Sequence, residues 1–177
     1  MEISPEAVVQ INPPNLALRT QSEMISDKER HRDALYEEAL REMQCDAPNP
    51  RKALVLLQEA HSAGAARATY ALATWYLHGQ PPVIRRNRRK ALKLLEVAAN
   101  ANIPDALFDL AVFLEKGELG EADPKRAFEM YLRSALRNKP QSLYEVGRCY
   151  EYGIGIKKDR RLADIWLDRA QEFGIKT

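Results

Sequence analysis

Three twelve-residue segments of this chain align without a gap, and that self-similarity restricts the fold more than any other feature. They are Ala68–Gly79, Ala106–Gly117 and Ser142–Gly153. Each opens on a small residue and carries another at the sixth place (Ala73, Ala111, Gly147). The third place is aromatic (Tyr70, Phe108, Tyr144) and the fifth aliphatic (Leu72, Leu110, Val146). Apolar residues at this spacing lie on one face of an α-helix. The closing glycine is the residue that best takes the left-handed C-cap conformation.

A second helix pattern follows each first one. Ala53, Ala91, Ala127 and Ala163 open runs with a large residue four positions on (Leu57, Leu95, Tyr131, Leu167) and a small one seven on (Ala60, Ala98, Ser134, Ala170). Eleven residues past each opening alanine stand Gly64, Asn102, Asn138 and Gly174. Glycine and asparagine tolerate a left-handed backbone best, so four helix ends share one register. Upstream, Ala34, Tyr36 and Ala39 repeat the first-helix pattern, and Ser26 with Glu29 reads as a capping box ahead of it. Asn49-Pro50 and Asp123-Pro124 place a cap before proline at N1, while Pro104 and Pro140 open two further helices.

The expected fold is all-α: a right-handed α-solenoid of about four helix-turn-helix repeats, at residues 26–64, 66–102, 104–138 and 140–174. The opening alanines are spaced 38, 36 and 36 residues apart, the first interval reflecting a longer loop after Gly79. A helix pair cannot bury its apolar stripe alone, and stacking the pairs makes a continuous core. Small residues let the helices approach closely. Trp75, Trp166, Tyr131 and Tyr144 are expected to fill that core rather than line a ligand box. Residues 26–177 then form a single domain. Residues 1–25 are an arm, extended or partly disordered, because Pro5, Pro13 and Pro14 break regular structure. Its Val8, Val9, Ile11, Leu16 and Leu18 could cap the first helix pair, or the arm frays.

The pattern resembles the Sel-1-like repeat family, a relative of the tetratricopeptide repeat. Tyr76 and Tyr150 match the family's tyrosine, Gly79, Gly117 and Gly153 its glycine, and Lys52-Ala53, Lys90-Ala91 and Arg126-Ala127 its basic-Ala step. The loop from Gly153 to Ala163 is similar to the family's loop. The resemblance covers 66–174, and 26–64 more loosely because Cys45 stands where a glycine is expected. It implies a scaffold or adaptor, a function for which the motif names no partner. Some secreted members hold each repeat with a disulfide, and two cysteines are too few for that.

Other classes find little support. The 177 residues carry a net charge of +2, with 45% hydrophobic and 29% charged, an ordinary soluble composition. There is no apolar run of about 18 residues that could span a bilayer. Residues 1–5 lack the features of a secretory signal, so the chain is expected in a cytoplasm, and with the family resemblance a bacterial one. Cys45 and Cys149 form no CxxC, and Cys149 reads as a core residue. His31, His61 and His78 each stand alone, and no nucleophile, phosphate-loop or metal motif is present. The expectation is therefore no enzyme, no cofactor, no metal and no small-molecule substrate. The one concentration of titratable groups is the row of Asp105 and Asp109 near Lys116 and Arg148.

Two surfaces could bind a partner. On the first helices, spacing sets Asp33 and Glu37, then Arg67, Thr74 and His78, then Asp105, Asp109 and Lys116, then Glu145, Arg148 and Tyr152 away from the core positions. They vary between units as a concave binding groove requires, or they are a solvated face. The second surface is a basic edge: Arg85, Arg86, Arg88, Arg89 and Lys90, then Lys157, Lys158, Arg160 and Arg161. Cations before a helix N-terminus oppose its dipole, which suits an acidic partner. Nucleic acid is disfavoured because no aromatic platform interleaves with these arginines. The reading is a non-catalytic adaptor that binds a protein. The alternatives are a bacterial immunity or regulatory protein that neutralises a toxin or enzyme, and a self-assembling module, for which a homodimer stays open.

Overall fold

The computed structural model describes residues 21–118 and 120–175. Among these, eight α-helices follow one another: α1 (Gln21–Gln44), α2 (Pro50–Ser62), α3 (Ala66–His78), α4 (Arg88–Asn100), α5 (Pro104–Lys116), α6 (Pro124–Ala135), α7 (Pro140–Tyr152) and α8 (Arg160–Glu172). Packing runs between consecutive helices, so the chain is an α-solenoid of four pairs. The odd-numbered helices are called A helices below and the even-numbered ones B helices.

Local chemistry sets these boundaries. Each B helix is capped by a side-chain oxygen: Asn49, Asn87, Asp123 and Asp159 accept from the backbone N–H of Lys52, Lys90, Arg126 and Leu162. Each B helix ends in a left-handed residue at the shared register, Gly64 (φ 88°), Asn102 (φ 62°), Asn138 (φ 58°) and Gly174 (φ 80°). That turn sends the next N–H back to a helical carbonyl, as in Ala65 to Ala60 and Ile103 to Ala98. The A helices after such turns start from extended residues without a side-chain cap, α5 and α7 with proline at their start.

Buried side chains form two clusters. One joins Ala39, Leu56, Leu57, Ala60, Ala65, Ala68 and Leu72. The other runs from Ala73 through Leu95, Leu107, Tyr131 and Leu143 to Ala170. Leu94 packs against both. Between units, Leu92 shares a small cavity with Phe113 and Leu114, and Phe128 meets Tyr150 edge-on at 5.3 Å. The corresponding residue of α8 is Asp164, which is exposed. The loop after α7 lies on the start of α6 at Gly155 (φ 69°), where an added Cβ would stand 1.9 Å from the Pro124 carbonyl oxygen.

The start of the first unit differs from expectation. Ser26 and Glu29 sit inside α1, which begins by Gln21, so they do not cap it. Residues 21–25 of the expected arm are helix, and 1–20 lie outside the described residues. Ala34 is exposed whereas its counterparts Ala68, Ala106 and Ser142 are fully buried, because among the described residues no earlier helix pair covers the first. Trp75, Trp166 and Tyr144 pack against the core half-buried, and Tyr131 and Cys149 are within it. Burial pushes the Cys149 thiol up to about 12.

Candidate partner-binding face

The A-helix row is tied across units by polar pairs, one link after another. Arg67 on α3 donates to Glu37 on α1 at 2.9 Å and lies 4.5 Å from the centre of the Tyr36 ring. Tyr70 on α3 donates to Asp109 on α5 at 3.0 Å. Lys139, just before α7, donates to Asp105 on α5 at 2.6 Å. Arg148 on α7 reaches both oxygens of Glu115 on α5, at 2.8 and 2.7 Å, and donates to Glu145 at 2.6 Å. Tyr131 donates to the same Glu115 at 3.0 Å. One terminal nitrogen of Arg148 serves both Glu115 oxygens while its Nε serves Glu145, so two carboxylates fix the guanidinium from different sides.

Burial alters the chemistry of these groups. It raises the Asp109 carboxyl above its usual range, opposed by the Tyr70 hydrogen bond and the Lys139 charge. Burial and the Asp109 charge raise the Tyr70 hydroxyl, and burial with Glu115 does the same to Tyr131, so both stay protonated donors. For Arg148, burial works against the charge, but hydrogen bonds to Glu115 and Glu145 outweigh it and raise its pKa.

Eight of the anticipated residues are therefore partly or wholly engaged. Glu37, Arg67, Asp105, Asp109, Glu145 and Arg148 form the links above. Asp33 pairs weakly with Arg32 at 3.4 Å on its own helix, and Thr74 bonds the Ala71 carbonyl of its own helix. His78, Lys116 and Tyr152 are exposed. They have no hydrogen-bond or ion-pair partner among the described residues. The row of Asp105, Asp109, Lys116 and Arg148 is not one cluster: Asp105, Asp109 and Arg148 each go to a different partner.

Glu115, the acceptor of three hydrogen bonds, was not anticipated as a site residue. From Val112, helical spacing reaches both Glu115 and Lys116, one at i+3 and one at i+4. The sequence could not choose between them, and burial beside Tyr131 does. Lys139 was missed because it lies in the turn before its helix.

The basic residues also divide. Arg88 pairs with Glu118 at 3.1 Å. Lys90 donates to the Tyr76 hydroxyl at 2.7 Å with its ammonium 4.2 Å from the ring centre. Arg85, Arg86, Arg89, Lys157, Lys158, Arg160 and Arg161 are exposed, with no ion pair among the described residues. A cavity of about 550 Å³ lies between His78 and the loop of Pro81, Pro82, Ile84, Arg85 and Arg86. His78 and Arg86 also line an adjoining 200 Å³ cavity that reaches Asp109 and Glu118.

A family model, the Sel1 repeat, matches residues 66–103, 104–139 and 140–170. The chain belongs to the Sel1 repeat family. Proteins of this family generally mediate protein–protein interaction. The Sel1 repeat protein of Oxalobacter formigenes is 32% identical, with a TM-score of 0.65 over 70% of this chain and 91% of its own. A protective antigen of uropathogenic Escherichia coli, 21% identical, superposes on 87% of this chain and 33% of its own with a TM-score of 0.75, a likeness of fold. Chitin synthase regulatory factor 3 of Schizosaccharomyces pombe is 28% identical over 131 residues, 71% of this chain. This Sel1 chain spans only 14% of that relative's length. Among the described residues no helix is long and apolar enough to cross a membrane.

Proposed function

We propose that this Sel1-repeat chain is a scaffold that binds another protein along its A-helix row and carries out no chemistry itself. The observation that supports this is the construction of the row. One set of side chains ties neighbouring units together, from Glu37–Arg67 to Glu115–Arg148. Another set, His78, Lys116 and Tyr152, projects without a hydrogen-bond or ion-pair partner among the described residues and differs from unit to unit. A tied framework holding exposed, varied side chains is pre-organised, which lowers the ordering cost of binding.

The test is capture from the native lysate, at low and moderate salt, with wild-type chain and a Lys116→Glu/Tyr152→Ala variant. Both substitutions are at exposed positions, and circular dichroism checks that the variant folds. The expected result is one stoichiometric partner held by wild type and lost by the variant. A partner retained equally by the variant removes this face from the reading. No partner, with a mass that rises with concentration in light scattering, replaces the scaffold by a self-assembling module. A captured toxin or enzyme whose activity falls in the complex gives the narrower, neutralising function.

A further inference from the structure

The loop from Gly79 to Asn87 is two residues longer than the loops of the third and fourth units. Its backbone is nonetheless fixed. Gln80 and Ile84 exchange both hydrogen bonds, at 2.9 and 2.8 Å, and Asn87 donates to the Tyr76 carbonyl at 2.7 Å. The Ile84 side chain is buried, which anchors the loop's apolar side. The 550 Å³ cavity against this loop has walls of His78, Pro81, Pro82, Ile84, Arg85 and Arg86, with no carboxylate among them.

Among the basic-edge residues without an ion pair, Arg85 and Arg86 are the ones that line this cavity. Arg88 is engaged by Glu118 and Lys90 by Tyr76, three and five residues beyond Arg85. Arg85 and Arg86 have no ion pair among the described residues, and both line the hollow together with His78, Gly79, Pro81, Pro82 and Ile84. Two adjacent guanidiniums beside an apolar hollow match a ligand that brings both carboxylates and an apolar side chain.

We propose that this mouth takes an acidic peptide segment of a protein partner, with carboxylates on Arg85 and Arg86 and an aliphatic or aromatic side chain against Pro81, Pro82 and Ile84. The inference rests on the scaffold reading and supplies the chemistry of one contact at the end of the A-helix row. His78, shared by both cavities, joins this contact to the row.

The experiment titrates the purified chain with fluorescein-labelled peptides in which Asp and Glu alternate with Leu and Phe. Peptides with Asn and Gln in place of the acids are the control. The acidic peptides bind, more weakly as salt rises, and the amide peptides do not. Arg85→Glu/Arg86→Glu lowers the affinity about tenfold or more. Arg160→Glu/Arg161→Glu, an exposed pair at the start of α8, leaves it unchanged. Thermal melts establish that both variants fold. Absence of acidic-peptide binding, equal loss in the two variants, or tighter binding of polyuridylic acid than of peptide at Arg85 and Arg86 overturns the proposal. Lysate capture separates it from the scaffold reading. A partner kept by Arg85→Glu/Arg86→Glu but lost by Lys116→Glu/Tyr152→Ala removes this contact alone.

Discussion

Ser134 and Ser142 stand where the other units have Ala60 facing Ala68 and Ala98 facing Ala106, and both are fully buried. Ser142 donates to the Ser134 hydroxyl at 2.7 Å, and Ser134 donates to the Pro104 carbonyl at 2.8 Å. Ser134→Ala alone strands the Ser142 hydroxyl and is expected to cost about 1–3 kcal/mol, whereas the double change to alanine is near neutral. Urea unfolding of the two single variants and the double measures this as a coupling energy. Asp109 gives a pH prediction. Its carboxyl is raised by burial, so the folded state holds its proton more tightly than the unfolded state does. That contribution to stability is complete below the ordinary value of 3.8 and is lost as pH rises through the folded value. Tyr70, Lys139, Asp105 and His78 are the groups that face it. Asp109→Asn keeps an acceptor for Tyr70 without the charge. The variant should melt at or above wild type at neutral pH, with a flatter dependence of Tm on pH above 3.8. A markedly lower neutral Tm would mean that the Lys139 attraction exceeds the burial cost.

At the scale of elements, the loops separate positions that only glycine can fill from those where it is convenient. Gly64 and Gly155 both have positive φ, but a Cβ at Gly64 meets nothing within 4 Å and one at Gly155 runs into Pro124. Gly64→Ala is expected to cost about 1–2 kcal/mol from backbone conformation alone. Gly155→Ala should cost clearly more, because the α7–α8 loop must lift from α6, and paired thermal melts compare the two. Most of the helix plan is legible in the sequence because period, caps and left-handed turn residues are all local signals. Ala53 and Gly64 mark α2 as plainly as Ala127 and Asn138 mark α6. What the sequence conceals is which of two adjacent residues a neighbouring element selects, as with Glu115 over Lys116. It also conceals the start of α1, because a long helix with an exposed first stretch needs no cap at Ser26. The groove positions are legible as a row. Their division into linking and projecting side chains depends on partners thirty or more residues away, such as Glu37 for Arg67.

For the whole molecule, packing between consecutive helices makes stability a sum of neighbouring interfaces. α6 buries Ala127, Phe128, Met130, Tyr131, Ser134 and Ala135, while α8 buries only Ala163 and Ala170. α1 buries only Ala39 among its described side chains. Hydrogen exchange followed by mass spectrometry should therefore show α1 and α8 opening first and α5 and α6 last. Uniform protection along the chain would mean that the four pairs unfold as one cooperative body. The asparagine turns have a further consequence. Arg133 on α6 donates to the Asn102 side chain at 2.8 Å, and Arg169 on α8 donates to Asn138 at 3.1 Å. The second unit has Asn102 but Val97 in place of the arginine, and the fourth has Arg169 but Gly174 in place of the asparagine. The third unit alone among them carries both plug and socket. Further copies of 104–139 inserted in tandem would keep every such joint closed, whereas copies of either neighbour would leave one open, so the third unit is the segment from which a longer array could be grown.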